Sequence, residues 1–386
     1  MVAQSRLFFF FPLVLIIPVL LYWEGGRIWR RTPEDFLDIP PLRKEPQGDL
    51  PLKADEHPTH LPLPSNPSVP EAPPASSSNR VLVIATLRDL DTSWIQDLPS
   101  SLLTEIYTVD DPSSANQVPK NKGGESMAYL TYIIEHYEYL PASAIFVHQE
   151  QRNTSTPPSF LDFELGNLIT RLNDERVQRE GYVNLRCQLQ PGCGKDALNL
   201  RKGREGLDDT LEEKAIKKSW TELFHSNLLP KTLSSPCCAQ FAVTKEKLRS
   251  ISLEQYKNWR TWLLNTELGD EALSRVWEHL WHYVFTNRPD LCPDPHTCYC
   301  DGYGMCFASS TDLQDWALKE KELGIVQAEY DEWKKGRRVL ADVEKTVEFK
   351  SKIRNLQVNV ETRLEEAWER GRNPDSRKAA LARRPS

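Results

Sequence analysis

All eight cysteines of this chain, Cys187, Cys193, Cys237, Cys238, Cys292, Cys298, Cys300 and Cys306, fall in one stretch from 187 to 306. An even, clustered set predicts disulfides, and with them an oxidising compartment. The spacing Cys292-x5-Cys298-x-Cys300-x5-Cys306 also admits a zinc site. Cys-x-Cys leaves too little chain to wrap a tetrahedral ion, so bridges are the favoured reading. Cys237 and Cys238 are adjacent and are expected to pair with different partners.

The sequence N-terminal to the cysteines cannot make a core. Residues 24–79 contain 12 prolines. The run HPTHLPLPSNPSVPEAPPASSS is too poor in apolar residues to fold and reads as an extended, disordered stem. Ahead of it, after a tail of residues 1–6, Leu7–Trp23 (LFFFFPLVLIIPVLLYW) is apolar and uncharged. As a helix it spans about 26 Å, enough for a thin bilayer. Tyr22 and Trp23 stand where an interfacial aromatic belt belongs. No small-residue cleavage site follows, so the segment is expected to stay as a single-pass signal-anchor.

Orientation is contested. Arg27, Arg30 and Arg31 follow the segment and, by the positive-inside rule, hold the large domain in the cytosol. The cysteines argue the reverse, as does the sequon Asn153-Thr154-Ser155, a glycosylation site only if lumenal. The six-residue tail gives the charge rule little leverage. The expectation is therefore a lumenal domain in the secretory pathway, in the Golgi or endoplasmic reticulum. A net charge of −7 argues against nucleic acid as a partner, which needs a basic face.

Folded sequence begins at Arg80. Val81–Ala85 is a continuous apolar run, as expected of a strand buried on both faces. Further strands are predicted near 106–109, 144–147, 181–185 and 239–243. Met127, Leu130, Ile133, Ile134 and Tyr137 mark a helix ended by Pro141, and another helix is expected around 160–173. Leu273, Val276, Trp277, Leu280, Trp281 and Val284 form one face of a strong helix. The interval 194–212 reads as a polar surface excursion. Alternating strands and helices predict an α/β domain over 80–307, with a mixed sheet and flanking helices. From 308 to 386 the apolar stripe Leu340, Val343, Val347, Leu356, Val360, Leu364 and Trp368 predicts a helical extension packed on its own domain. Its last residues, NPDSRKAALARRPS, are expected to fray.

Signatures of nucleotide loops, serine hydrolases and HExxH metalloproteases are absent. His279 and His282 share a helix face but border its apolar stripe, so structural roles are favoured. Asn121-Lys122-Gly123-Gly124 could offer amides to a phosphate, but Glu125 already occupies the positive helix end; a capped helix start is expected. Asp89, Asp91, Asp110 and Asp111 follow strands, where α/β proteins place ligands.

NKGGESMAYLTYIIEHYEYLPASAIFVHQ, GYVNLRC, SPCCAQFAVTKEKL, RVWEHLWHYVF and CPDPHTCYCDGYGMC, in this order, resemble a large fungal family, domain-of-unknown-function family thirty-four thirty-one. Many members carry an arginine where this chain has Gly124, and a His-x-His-like pattern where it reads His148-Gln149-Glu150. A looser resemblance is to type-A glycosyltransferases, which bind a nucleotide-sugar on an α/β sheet and hold a divalent ion through an acidic motif after an internal strand. That resemblance implies a ligand site at His148 and Glu150, with Asp89, Asp91, Asp110 and Asp111 around it. It also implies a Mn²⁺ or Mg²⁺ cofactor on His148 and Glu150, a nucleotide-sugar donor and a glycan acceptor. The competing expectation is a non-enzymatic lumenal or surface protein that binds a glycan or partner.

Overall fold

The computed structural model describes residues 79–148, 165–201, 209–226, 228–335 and 342–382. The apolar run 7–23, the stem, Glu150 and Asn153 lie outside them. Among the described residues no helix is long and apolar enough to cross a membrane.

Three strands open the fold: β1 (Arg80–Thr86), β2 (Leu103–Thr108) and β3 (Ser143–His148). Helix α1 (Glu125–His136) crosses from β2 to β3. Helices α2 (Leu165–Arg171) and α3 (Asp174–Glu180) lead to β4 (Tyr182–Asn184). A two-stranded ladder, β5 (Leu198–Asn199) and β6 (Thr232–Leu233), brackets α4 (Leu211–Phe224). Strand β7 (Phe241–Thr244) runs into α5 (Lys245–Arg249), followed by α6 (Leu253–Asn265), α7 (Asp270–Thr286) and α8 (Pro295–Tyr303). Helices α9 (Ser310–Lys335), α10 (Val343–Arg372) and α11 (Pro374–Ala382) complete the chain.

The main sheet has the order β2-β1-β3-β7-β4. β1 runs parallel to β2 and β3, whereas β7 is antiparallel to both β3 and β4. Side chains alternate across each strand. Val81, Val83, Ala85, Ala144, Phe146, Phe241 and Val243 therefore face one core with α1, α4, α6 and α7. Leu82, Ile84, Ile145, Val147 and Ala242 face a second core with α2, α8 and α10. Both faces of β1 are covered, which is why its Val81–Ala85 run is uniformly apolar. The first core is dense in rings: Trp281 packs within 6 Å of Tyr129, Phe241, Trp277 and Phe285.

Helix starts follow local chemistry. Thr210 and Glu213 form a reciprocal capping box on α4, and Asn173, Thr244, Ser252 and Asp294 each accept an amide at the head of their helix. These caps are legible in sequence; α4, α6 and α8 nonetheless lie where no helix was expected. The interval 194–212 is accordingly more than an excursion, because it holds β5 and the start of α4.

All eight cysteines are bridged: Cys187–Cys298, Cys193–Cys292, Cys237–Cys238 and Cys300–Cys306. The expectation that Cys237 and Cys238 take different partners is wrong. Successive side chains of extended backbone point to opposite sides, but Cys238 has φ +84°, and the two sulfurs lie on one side and are bonded.

The end of the chain is likewise not frayed through its length. Pro374 starts α11, and its Ala380 is buried against the Cys300–Cys306 bridge. The Thr297 hydroxyl donates to the Ala380 carbonyl at 3.3 Å. α10 delivers Val360, Ala367 and Trp368 to the second core. It approaches so closely that a Cβ on Gly371 would overlap the Gly304 carbonyl oxygen.

His282 lies buried in α7, and its Nε2 donates to the Pro289 carbonyl at 3.0 Å. Burial pushes its pKa down from 6.5 to about 4. The unfolded chain thus takes up this proton first as pH falls. The stabilisation from a neutral His282 is complete above pH 6.5 and is lost between there and about 4. The loss amounts to about 3 kcal/mol. Urea midpoints of wild type and His282→Gln should converge across that window. Curves that stay parallel from pH 7 to 4 would remove His282 from the acid response.

Candidate ligand site

The sheet order places a topological switch at β1 and β3. From β1 the chain goes to one side for β2 and returns to the other for β3, so the loops leaving the two strands diverge. In open α/β sheets the crevice beyond such carboxyl ends is the usual ligand position. His148 ends β3 there, paired with Ala85 of β1.

Two residues of the loop before β7 meet His148, and α7 joins them through one of the two. Its Nε2 lies 2.9 Å from the Cys238 carbonyl. A carbonyl only accepts, so this nitrogen carries the hydrogen. The Cys238 amide in turn donates to Glu278 Oε1 of α7 at 2.8 Å. The Arg275 guanidinium donates to the other carboxylate oxygen at 3.1 Å. Gln240 Nε2 donates to the His148 carbonyl at 3.4 Å. One backbone residue of the vicinal disulfide thus bridges an imidazole and a carboxylate that lie 130 positions apart in sequence.

Glu125, first residue of α1, belongs to the same group. Burial pushes its pKa up, His148 opposes that shift, and the negative charge of Glu278 adds to it. Ser274 Oγ donates to its carboxylate at 3.4 Å. Glu125 therefore sits half-buried within electrostatic reach of both His148 and Glu278, and a carboxyl whose pKa is shifted in this way is a candidate member of a functional site. His279, next along α7, has its pKa lowered by burial against the pull of Glu278 and Glu212.

The Asn121–Gly124 turn is tied to the end of α6 and the start of α7. Lys122 Nζ donates to the Leu264 and Thr266 carbonyls at the end of α6. The Gly123 amide donates to Asp270 Oδ1 at 2.7 Å. Gly124 heads α1 with φ +60° and with no side-chain cap, in place of the capped start expected. A Cβ there would press on Ser274 Oγ at 2.7 Å. Any side chain at this position is therefore strained in this backbone.

Three of the four aspartates expected around the site are engaged in hydrogen bonds of the loops after β1 and β2. Asp91 accepts from the Ser93 amide, and Asp111 from the Ser113 amide and hydroxyl; these bonds hold both carboxyls below the usual range. Asp110 accepts from the Arg88 amide at 2.9 Å, and Arg88 also pairs with Asp111 at 3.4 Å. Asp89 is exposed. Of the expected metal pair, His148 stands at the switch point and Glu150 lies outside the described residues. Glu125 and Glu278 were missed as members of the site. Their only sequence signal was negative: a carboxylate heading α1, and another on the polar side of the α7 stripe.

A family model described as a protein of unknown function (DUF3431) matches residues 82–301, more than half of the chain. The chain belongs to this family. The DUF3431 match spans β1 to α8 and includes Glu125, His148, Cys237, Cys238 and Glu278, so the whole described site lies inside the family region. It stops before Cys306 and the three C-terminal helices. No curated protein and no solved structure matches the chain.

Proposed function

We propose that this DUF3431 protein is a glycosyltransferase-like enzyme that binds a nucleotide-sugar at the β1/β3 switch point. The observation that carries the reading is the convergence of His148, Glu125 and Glu278 beyond the carboxyl end of an internal strand. That is where type-A glycosyltransferases hold their divalent ion. In this reading His148 and Glu150 would hold Mn²⁺ or Mg²⁺, which would supply positive charge opposite the diphosphate leaving group. Glu125, whose raised pKa makes it the stronger base, takes the proton of the acceptor hydroxyl. Titrating Mn²⁺ with uridine or guanosine diphosphate into wild type should give saturable heat that His148→Ala/Glu150→Ala abolishes. Equal binding by both proteins, or none by either, ends this reading.

One observation favours the alternative, a glycan- or partner-binding protein without catalysis. His148 and Glu278 both spend a hydrogen bond on the Cys238 backbone, as groups that shape a loop would. Glycan binding that survives without any cation, together with no nucleotide binding, is its signature.

We further propose that residues 7–23 anchor the chain and that the domain is lumenal, supported by four disulfides among eight cysteines. In microsomes the domain should resist added protease until detergent is present, and Asn153 should carry glycan. Digestion of the domain in sealed vesicles reverses the orientation.

A further inference from the structure

Among the described residues, Cys237 Sγ, Cys238 Sγ and a Glu278 carboxylate oxygen lie within 4.8 Å of one another. We infer that the vicinal pair, once reduced, is a metal site for a thiophilic divalent cation such as Zn²⁺, with Glu278 as third ligand and the disulfide as its closed form. The inference is separate from the nucleotide reading, since it concerns sulfur ligands and needs no nucleotide.

Adjacent cysteines ordinarily make poor chelators, because extended backbone sends their side chains apart. Here the left-handed Cys238 has already turned both sulfurs the same way. Two thiolates on a tetrahedral zinc, at about 2.3 Å each, stand about 3.8 Å apart. The bonded sulfurs must part to reach that separation, and the Glu278 oxygen already lies within 4.8 Å of both. The third ligand is oriented in advance: Glu278 Oε1 accepts from the Cys238 amide, and Arg275 holds Oε2. Outer partners of this kind fix a ligating carboxylate and sustain affinity. His148 anchors the Cys238 carbonyl and so holds the loop in place while the sulfurs part. Cys238 is half-buried, which leaves a route for the ion and for a solvent molecule at the fourth position.

The opening step is a thiol–disulfide exchange with a small dithiol reductant. A reductant thiolate attacks one sulfur of the Cys237–Cys238 bond to give a mixed disulfide. Its second thiol then displaces the protein sulfur and closes a cyclic disulfide. Two electrons and two protons pass to the protein, giving two thiols, and zinc binding releases two protons to solvent. Among the other bridges, Cys187–Cys298 and Cys300–Cys306 are buried, while Cys193–Cys292 exposes Cys292. The test must therefore track each bridge.

The full-length chain is reduced stepwise with dithiothreitol, freed of reductant without oxygen, and exposed to Zn²⁺ alone. Differential alkylation with mass spectrometry reports which bridges have opened, and elemental analysis reports bound zinc. One zinc per chain should appear in step with opening of Cys237–Cys238. Co²⁺ in its place should give thiolate charge-transfer absorbance. Cys237→Ser/Cys238→Ser should lose that zinc, and Glu278→Gln, which keeps both thiols, should weaken it by at least about tenfold. The inference is overturned if the zinc persists in the double serine variant. It is equally overturned if the opened pair takes up none, or if the pair stays oxidised while other bridges in the folded protein open. Should the serine variant not fold, unchanged affinity and an unchanged cobalt spectrum in Glu278→Gln overturn the assignment.

Discussion

Replacing Cys187 and Cys298 together by alanine should cost about 3–5 kcal/mol of stability, among the largest effects of any change in this chain. The bridge joins residues 111 positions apart, so in the oxidised chain it removes much of the unfolded state's freedom. Both residues are also buried in the second core, where Cys187 follows β4 and Cys298 sits in α8. The same relation gives only about 1 kcal/mol for the bridge between adjacent Cys237 and Cys238. Urea denaturation of the two double variants under non-reducing conditions measures the contrast. Equal midpoints would mean that the long bridge acts on something other than the unfolded chain.

Asp301→Ala should cost about 3–5 kcal/mol, because it removes a carboxylate partner from the nearly buried Arg176 guanidinium. Asp301 is 3% exposed at the end of α8. Its carboxylate pairs with Arg179 and lies 3.8 Å from Arg176 Nε. Arg176 is itself nearly buried and donates to the Cys298 carbonyl at 2.8 Å; burial already holds its pKa below the usual guanidinium range. Without Asp301 that guanidinium remains in a dry place with only the charge of Glu180 acting in its favour. Asp301→Asn keeps an acceptor of the same shape and should lose less than alanine. Chemical denaturation at neutral pH orders the three proteins. A loss below about 1 kcal/mol for the alanine variant would show that solvent reaches the arginines.

The parts of this fold that were legible in sequence are those where one physical requirement dominates. Val81–Ala85 of β1 and Ala144–Val147 of β3 are continuous apolar runs because both sheet faces are covered, and α7 carries a stripe wide enough to read from period alone. α8 resisted because its residues, PHTCYCDGY, carry two cysteines, a histidine and a glycine in place of an apolar period. Its Asp294 cap and Pro295 at the first helical position were the available signals, and Pro374 plays the same part for α11. The ligand site was half legible. His148 announces itself at a strand end, whereas Glu125 and Glu278 come to it only through packing of α1 against α7. The aspartates misled because turn carboxylates and ligand carboxylates look alike until their hydrogen bonds are known. The bridge between neighbouring cysteines depends on a backbone angle that no spacing rule encodes.

The two faces of the sheet close at different times when the chain is made from its N-terminus. The face packed by α1, α4, α6 and α7 has all its residues once Thr286 has emerged. The opposite face waits for Val360, Ala367 and Trp368. At about 5–20 residues per second, that delay is roughly 4–16 s. Throughout it Leu82, Ile84, Ile145 and Val147 lack their α10 cover, so the nascent chain offers a half-finished apolar surface to any chaperone beside it. A ribosome stalled between residues 290 and 355 should display that surface, and release of the last helices should bury it.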